Sequence, residues 1–263
     1  MAAPTLTVRG TELGAGRPEI IVPVAGDDEA ALLTHLAAAR RAPARIVEWR
    51  TDRFARGAGT AEHRAAVLAA LPGVREALGP ERALLLTLRT SAEGGDREIT
   101  DDDLAALLIG AIRASSPDGA PLVDLVDVET ARDAGAVRAV VEEARARGVA
   151  VVGSFHDFTG TPGEARIVEI LRGQRALGAD LPKVAVTPRD ARDVLALLGA
   201  SLTVAADAAG PHLAISMGSL GAVSRVAAET FGSAATFASA GEASAPGQLD
   251  AEDVSRLLAL LRP

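Results

Sequence analysis

The 263-residue chain has no cysteine, no tyrosine, one tryptophan and one lysine. Without cysteine it can form neither disulfides nor thiolate metal sites. Aromatic residues make up 2% of the chain, whereas apolar residues as a group make up 48%, so the core must be built from aliphatic side chains and alanine. No apolar run approaches the roughly 20 residues that span a bilayer. Met1–Gly10 carries Arg9 with no apolar core behind it, so no secretory leader is expected and a cytoplasmic location is. Twenty-seven basic residues stand against 35 acidic ones, for a net charge of −8. That balance argues against nucleic acid or an anionic membrane as the main partner.

Lysine is the scarcest of the charged residues: Lys183 is the only one, and the other 26 basic residues are arginine. A genome rich in G and C accounts for the bias toward arginine and alanine. It does not account for the one amine that was kept. Arginine stays protonated in proteins, whereas a buried lysine can lose its proton and act as a nucleophile.

Short runs rich in valine, isoleucine and leucine recur along the chain, each about as long as a strand buried on both faces. They are Glu19–Val24, Arg45–Trp49, Ala83–Leu88, Leu122–Val128, Val149–Phe155, Lys183–Val186, His212–Ser216 and Ala234–Ala238. Each is followed by a helix-like stretch: Asp28–Arg41, Thr60–Leu78, Thr100–Arg113, Ala131–Arg147, Pro162–Leu177, Arg189–Ala206, Leu220–Phe231 and Ala251–Leu261. Thr100 ahead of Asp101, Asp102 and Asp103 has the chemistry of a helix start, and Gly148 and Gly178 that of helix ends. Eight βα units in about 250 residues predict a (β/α)8 TIM barrel, an α/β fold, over residues 19–263. Residues 1–18 are expected to form a lead-in, either a hairpin or a loose tail. A doubly wound open sheet is the alternative architecture, but no G-x-G-x-x-G follows the first strand.

A barrel places its functional groups at the C-terminal strand ends. Alternation puts Ile46, Glu48 and Arg50 on one face, Ser154 and His156 on one face, and Lys183 with Ala185 and Thr187 on another shared face. Lys183 with His156 is the pair with the most specific chemistry: an amine to form an imine with a ketone or aldehyde, and an imidazole to move protons at the next carbon. A loop histidine capping a backbone group is the alternative for His156. His35, His63 and His212 fall on helices or at a strand start and read as structural or solvated. Metal binding is not expected, since the chain has no H-x-x-x-H or H-E-x-x-H pair and Asp101–Asp103 reads as a charged first helical turn. Arg50, Arg89 and Arg225 can clamp a carboxylate or simply pair with Glu48, Glu93 or Glu129. Gly241–Gln248, mostly small residues after the last strand, reads either as a mobile lid or as a plain connector.

Taken together, the motifs resemble type I 3-dehydroquinate dehydratase. The matching segments are Glu48-Trp49-Arg50-Thr51-Asp52, Leu86-Thr87-Leu88-Arg89-Thr90 with Glu93-Gly94-Gly95, Val126-Asp127-Val128-Glu129 and Gly153-Ser154-Phe155-His156-Asp157-Phe158. Next come Lys183-Val184-Ala185-Val186-Thr187-Pro188, Ser216-Met217-Gly218 with Ser224-Arg225, Phe231 to Phe237, and Ser244-Ala245-Pro246-Gly247-Gln248. The resemblance implies conversion of 3-dehydroquinate to 3-dehydroshikimate and water, a hydro-lyase step of the shikimate pathway, without metal or organic cofactor. It assigns the imine to Lys183, proton transfer to His156, and orientation of the imidazole to Glu93. Arg225 would hold the substrate carboxylate, and Glu48, Arg50, Arg89, Ser244 and Gln248 the ring hydroxyls. Asp127 and Glu129 would support His156 and Lys183 from behind. A homodimer is implied as well. Two other classes share part of this pattern: another Schiff-base barrel such as a class I aldolase, which leaves the carboxylate and hydroxyl groups unexplained, and a noncatalytic sugar-acid binder, which has no need of an amine.

Overall fold

The computed structural model describes residues 4–241 and 247–262. The chain enters through a hairpin, β1 (Leu6–Val8) paired antiparallel with β2 (Thr11–Leu13), turned by Arg9-Gly10. Of the two expectations for the lead-in, the hairpin is the one observed. Val8 and Leu13 are buried in the same apolar cluster as Ile21, Ile46, Leu85 and Leu125, so the hairpin caps the N-terminal end of the barrel. Arg9 Nε pins it there by donating to both carboxylate oxygens of Asp124 at 2.9 and 3.0 Å.

The barrel strands are β3 (Glu19–Val24), β4 (Ile46–Arg50), β5 (Ala83–Thr87), β6 (Leu125–Glu129), β7 (Ala150–Asp157), β8 (Leu181–Val186), β9 (Leu213–Ser216) and β10 (Ala235–Phe237). From β3 to β9 each pairs in parallel with the next in sequence, and β10 returns to pair in parallel with β3. Between β9 and β10 the ring is completed outside the ladder. Ala234 N–H donates to His212 O at 2.8 Å, and Ala214 N–H donates to Ser233 Oγ at 3.1 Å. The connecting helices are α1 (Glu29–Ala39), α2 (Thr60–Leu78), α3 (Asp101–Arg113), α4 (Ala134–Arg147), α5 (Glu164–Ala176), α6 (Ala191–Ala206), α7 (Val223–Val226) and α8 (Ala251–Leu260).

Alternation divides the strands into two apolar sets. Val22, Val47, Trp49, Leu84, Leu86 and Val126 face the helices. Ile21, Ile46, Leu85, Leu125, Val152, Leu181 and Leu213 fill the barrel axis. Higher on the same inward face, β4 carries Glu48 and Arg50, β6 carries Asp127 and Glu129, β7 carries Ser154 and His156, and β8 carries Lys183. The interior is therefore apolar at its base and charged at its C-terminal mouth.

Two sequence expectations need correction. The stretch Leu220–Phe231 contains only the single turn α7. Ser224 Oγ accepts from Ser216 N–H at 2.9 Å and donates to Gly221 O at 2.8 Å, which ties this segment to β9 instead of to a continuous helix. A Cβ at Gly221 would lie 2.3 Å from Ser216 O, so the segment must pass against the strand end at a glycine. The run beginning at Leu122 becomes strand only at Leu125; Asp124 joins it to both neighbours, its N–H donating to Leu84 O at 2.9 Å and its carbonyl accepting Ala150 N–H at 3.0 Å, while its carboxylate takes Arg9, Arg75 at 3.1 Å and Leu84 N–H at 2.8 Å. Asp101–Asp103 does form the first turn of α3, behind Thr100, whose hydroxyl accepts from Asp103 N–H. Such a cap contributes about 1 kcal/mol.

Candidate active site

The C-terminal ends of the strands surround a cavity of about 200 Å³. Glu48, Arg50, Arg89, Glu93, His156, Lys183, Arg225 and Gln248 all line it, together with Gly94, Phe158, Ala185, Ile215, Met217 and Phe237. Eight of the residues singled out from sequence therefore meet in one place. Asp127 and Glu129 lie immediately beneath, both buried. Ser244 lies outside the described residues, as does most of the stretch expected to form a lid.

Lys183 is 4% exposed. Its Nζ donates to Asp127 Oδ2 at 3.2 Å and sits 4.7 Å from the centroid of the Phe237 ring. Asp127 is shared: Ser154 Oγ donates to its Oδ1 at 2.6 Å, and Arg89 Nη2 approaches the same oxygen at 2.8 Å. Burial works against the Asp127 charge, but Arg89, Lys183 and Ser154 outweigh it and hold its carboxyl below the ordinary range. Arg89 is the centre of this cluster. Its Nη1 donates to Glu129 Oε1 at 2.9 Å, Ser154 Oγ at 3.1 Å and Glu93 Oε2 at 3.5 Å. Glu129 also takes Thr90 N–H at 2.9 Å and the Thr90 hydroxyl at 2.7 Å.

His156 is held by Glu93. Oε2 accepts the His156 backbone N–H at 3.1 Å and faces Nδ1 at 2.8 Å. An acceptor at Nδ1 selects the tautomer protonated there and leaves the Nε2 lone pair for proton transfer. Burial, with the positive charges of Arg89, Lys183 and Arg50 nearby, holds the imidazole well below its usual value, so it is neutral at physiological pH. Burial also pushes the Glu93 carboxyl up to about 8, with Glu129 and Asp127 adding to the rise against the pull of Arg89. The turn that carries Glu93 needs two glycines. Gly94 adopts φ +82° under the Phe158 ring, and a Cβ at Gly95 would fall 1.9 Å from Arg89 O.

Arg50 and Arg225 differ in what they are paired with. Arg50 is clamped bidentately by Asp52, with both contacts at 2.8 Å. Arg225 is 2% exposed and, among the described residues, has no carboxylate partner; its Nη1 donates to Phe237 O at 3.2 Å and its Nε has no acceptor. Burial without a counter-charge pushes this guanidinium down to about 10. A buried cation facing an open cavity with unused donors calls for an anion from solution. Glu48 on the opposite wall accepts the Thr87 hydroxyl at 2.8 Å.

Sequence reasoning left Ser154, Asp52 and Thr87 out of the site. Alternation does put Ser154 on the face of His156 but gives it no role; nothing local distinguishes Asp52 or Thr87 from ordinary strand-end residues. Of the remaining histidines, His63 and His212 are buried and structural, and His35 is exposed on α1. His63 Nε2 bonds Thr51 O at 2.8 Å, and His212 Nε2 bonds Ser201 Oγ at 2.8 Å.

The sequence model described as type I 3-dehydroquinase matches residues 20–263. The 3-dehydroquinate dehydratase of Syntrophotalea carbinolica is 43% identical over 258 residues, covering 98% of both chains. That of Klebsiella pneumoniae is 42% identical over 245 residues, covering 93% of both. The type I 3-dehydroquinate dehydratase of Clostridium difficile, solved with covalently modified comenic acid, superposes with a TM-score of 0.91 at 35% identity, over 99% of this chain and 98% of that one. The Geobacillus kaustophilus enzyme gives 0.90 at 32% identity, over 99% and 97%. With its eight-stranded barrel, the chain belongs to the type I 3-dehydroquinase family.

Proposed function

We propose that the protein dehydrates 3-dehydroquinate to 3-dehydroshikimate and water through an imine on Lys183. The observation that carries this reading is the meeting of three unlike groups on one small cavity: a buried amine, a neutral imidazole oriented by Glu93, and a buried guanidinium with no carboxylate partner among the described residues. The substrate offers a matching set: a ketone, a carboxylate and ring hydroxyls.

Lys183 Nζ leaves Asp127 and, as the free amine, adds to the ketone carbon. Loss of water gives the protonated imine, which acidifies the neighbouring C–H. His156 Nε2 takes that proton, and the electron pair passes toward the imine nitrogen. The imidazolium then returns a proton to the departing hydroxyl, which leaves as water. Hydrolysis of the imine frees the product and restores the amine. Arg225 holds the carboxylate, and Glu48, Arg50 and Gln248 face the hydroxyls. Arg89 reaches the cavity edge while holding Asp127 and Glu129 in place. Ser244 is assigned to substrate binding by the same resemblance. No metal or organic cofactor enters any step. The resemblance also supports a cytoplasmic homodimer; among the described residues, no helix is long and apolar enough to cross a membrane.

Borohydride added during turnover should reduce the imine and leave one substrate-derived adduct on the peptide containing Lys183. The absorbance of the conjugated product should grow in parallel without borohydride. Because the chain has one lysine, the only competing amine is the N-terminus. An unmodified Lys183 in an enzyme that is turning over would overturn the reading.

Arg225→Lys keeps the charge but loses the planar fork. A charge-assisted hydrogen bond contributes about 1.5–3 kcal/mol. The variant should therefore lose roughly 10- to 150-fold in kcat/KM for 3-dehydroquinate. It should lose little for an analogue lacking the carboxylate. Equal losses on both substrates would make Arg225 a structural residue.

A further inference from the structure

We infer that Gln174, on the outer helix α5, is a positioning residue for Lys183, holding the root of the reactive side chain while its tip forms and breaks the imine. The inference rests on the imine reading above. Gln174 is 2% exposed and lies outside the substrate cavity. Its side-chain amide pairs with both backbone groups of Lys183: Oε1 accepts Lys183 N–H at 2.9 Å, and Nε2 donates to Lys183 O at 3.0 Å. The second proton on Nε2 is directed to Thr130 Oγ1 at 3.3 Å. One side chain therefore makes a peptide-like pairing with a single residue, and that residue is the only lysine of the chain.

The surroundings are shaped for this pairing. Pro182, just before Lys183, has no N–H to contribute to β8. Its register partner on β7 is Gly153. A Cβ there would lie 2.7 Å from Ala179 Cβ, 3.2 Å from Thr130 Cγ2 and 3.4 Å from Gln174 Cβ. A larger residue at 153 would displace the groups that seat the amide. The glutamine therefore enters where one strand lacks a donor and its neighbour lacks a side chain.

β8 sets Lys183 in register with Ser154 and Leu213, and among the described residues its side chain is held at the tip by Asp127 and by the Phe237 ring. The bond to Asp127 must be given up when the amine attacks, because the nitrogen then belongs to the substrate adduct. The backbone clamp survives every covalent step. It fixes the Cα–Cβ direction of a side chain with four rotatable bonds. A displacement of about 1 Å in a reacting group can cost roughly 100-fold in rate.

Gln174→Met keeps the length and loses both hydrogen bonds to Lys183 along with the one to Thr130. Single-turnover borohydride trapping should show adduct forming roughly 10- to 100-fold more slowly than in wild type. Binding of a ketone-free ring acid, which needs Arg225 but not the amine, should stay within about twofold of wild type. A merely structural role would weaken both together or neither. Gln174→Glu supplies a second arm. Its neutral carboxyl offers the same acceptor and donor to Lys183, whereas its ionised form turns an oxygen toward Lys183 O. The trapping rate relative to wild type should therefore rise as pH falls. Should the methionine variant not fold, this arm decides alone: a ratio that rises toward acid supports the clamp, and a ratio flat with pH refutes it. Wild-type enzyme is trapped alongside. Failure to trap wild type at Lys183 overturns the imine itself, whereas normal trapping in wild type and in a folded methionine variant overturns only the role of Gln174.

Discussion

Lys183→Met should abolish turnover and leave nothing for borohydride to trap. The effect is expected to be the largest of any single replacement, since no other side chain can form an imine. What remains should be the roughly 10³- to 10⁴-fold over water that positioning and electrostatics supply when a covalent nucleophile is removed. The fold should survive, because Asp127 keeps Arg89 at 2.8 Å and the Ser154 hydroxyl at 2.6 Å after the ammonium is gone. Arg225 should still bind a ring carboxylate, so a competitive ligand will bind to an inactive site. Lys183→Arg sharpens the test. It restores a cation beside Asp127 but not a nucleophile, since a guanidinium keeps its proton. Both variants are expected to be equally inactive. Recovery of turnover by arginine would show that charge, not covalent chemistry, is what position 183 contributes.

The amine is also where composition proved most informative. With 26 arginines and one lysine, position 183 stood out before any fold was drawn. The barrel was legible for a related reason: strands buried on both faces leave short continuous apolar runs, and those runs recur eight times. Glu19–Val24 and Thr60–Leu78 occur as read, since the first is bounded by Pro18 and Ala25-Gly26 and the second by Gly59 and Gly79. Where sequence failed, side-chain hydrogen bonds had replaced periodicity. At Leu220–Phe231, Ser224 converts an apparent helix into a turn tied to β9.

The site was legible through its inward-facing strand ends, but its wiring was not. That Arg89 is enclosed by Asp127, Glu129 and Ser154, that Arg50 is taken by Asp52, and that Arg225 has no carboxylate partner among the described residues are facts of three-dimensional distance. A single sequence offers three arginines with interchangeable roles. Gln174 was the least visible of all. It belongs to the outer helix α5, and its pairing with Lys183 sits beside a proline and a glycine on two different strands.

His156→Ala should separate the two halves of the reaction. The amine is untouched, so the imine still forms and borohydride should trap it in good yield. Product formation should fall roughly 10²- to 10⁴-fold, the usual contribution of a general acid–base group. The loss should fall toward the upper end, because the same imidazole removes one proton and delivers another. The pH profile gives a second, independent reading. Burial and the charges of Arg89, Lys183 and Arg50 lower the folded-state value of His156, so the free base persists as pH falls past 6.5. The acid limb of the elimination rate should lie clearly below that pH in wild type. A second inflection is expected near pH 8, where Glu93 gains its charge and strengthens the imidazole as a base. Both features should vanish from breakdown of the trapped-competent adduct in the alanine variant. An acid limb at or above pH 6.5, or an alanine variant that eliminates at the wild-type rate, would return His156 to the role of a residue that merely satisfies Glu93.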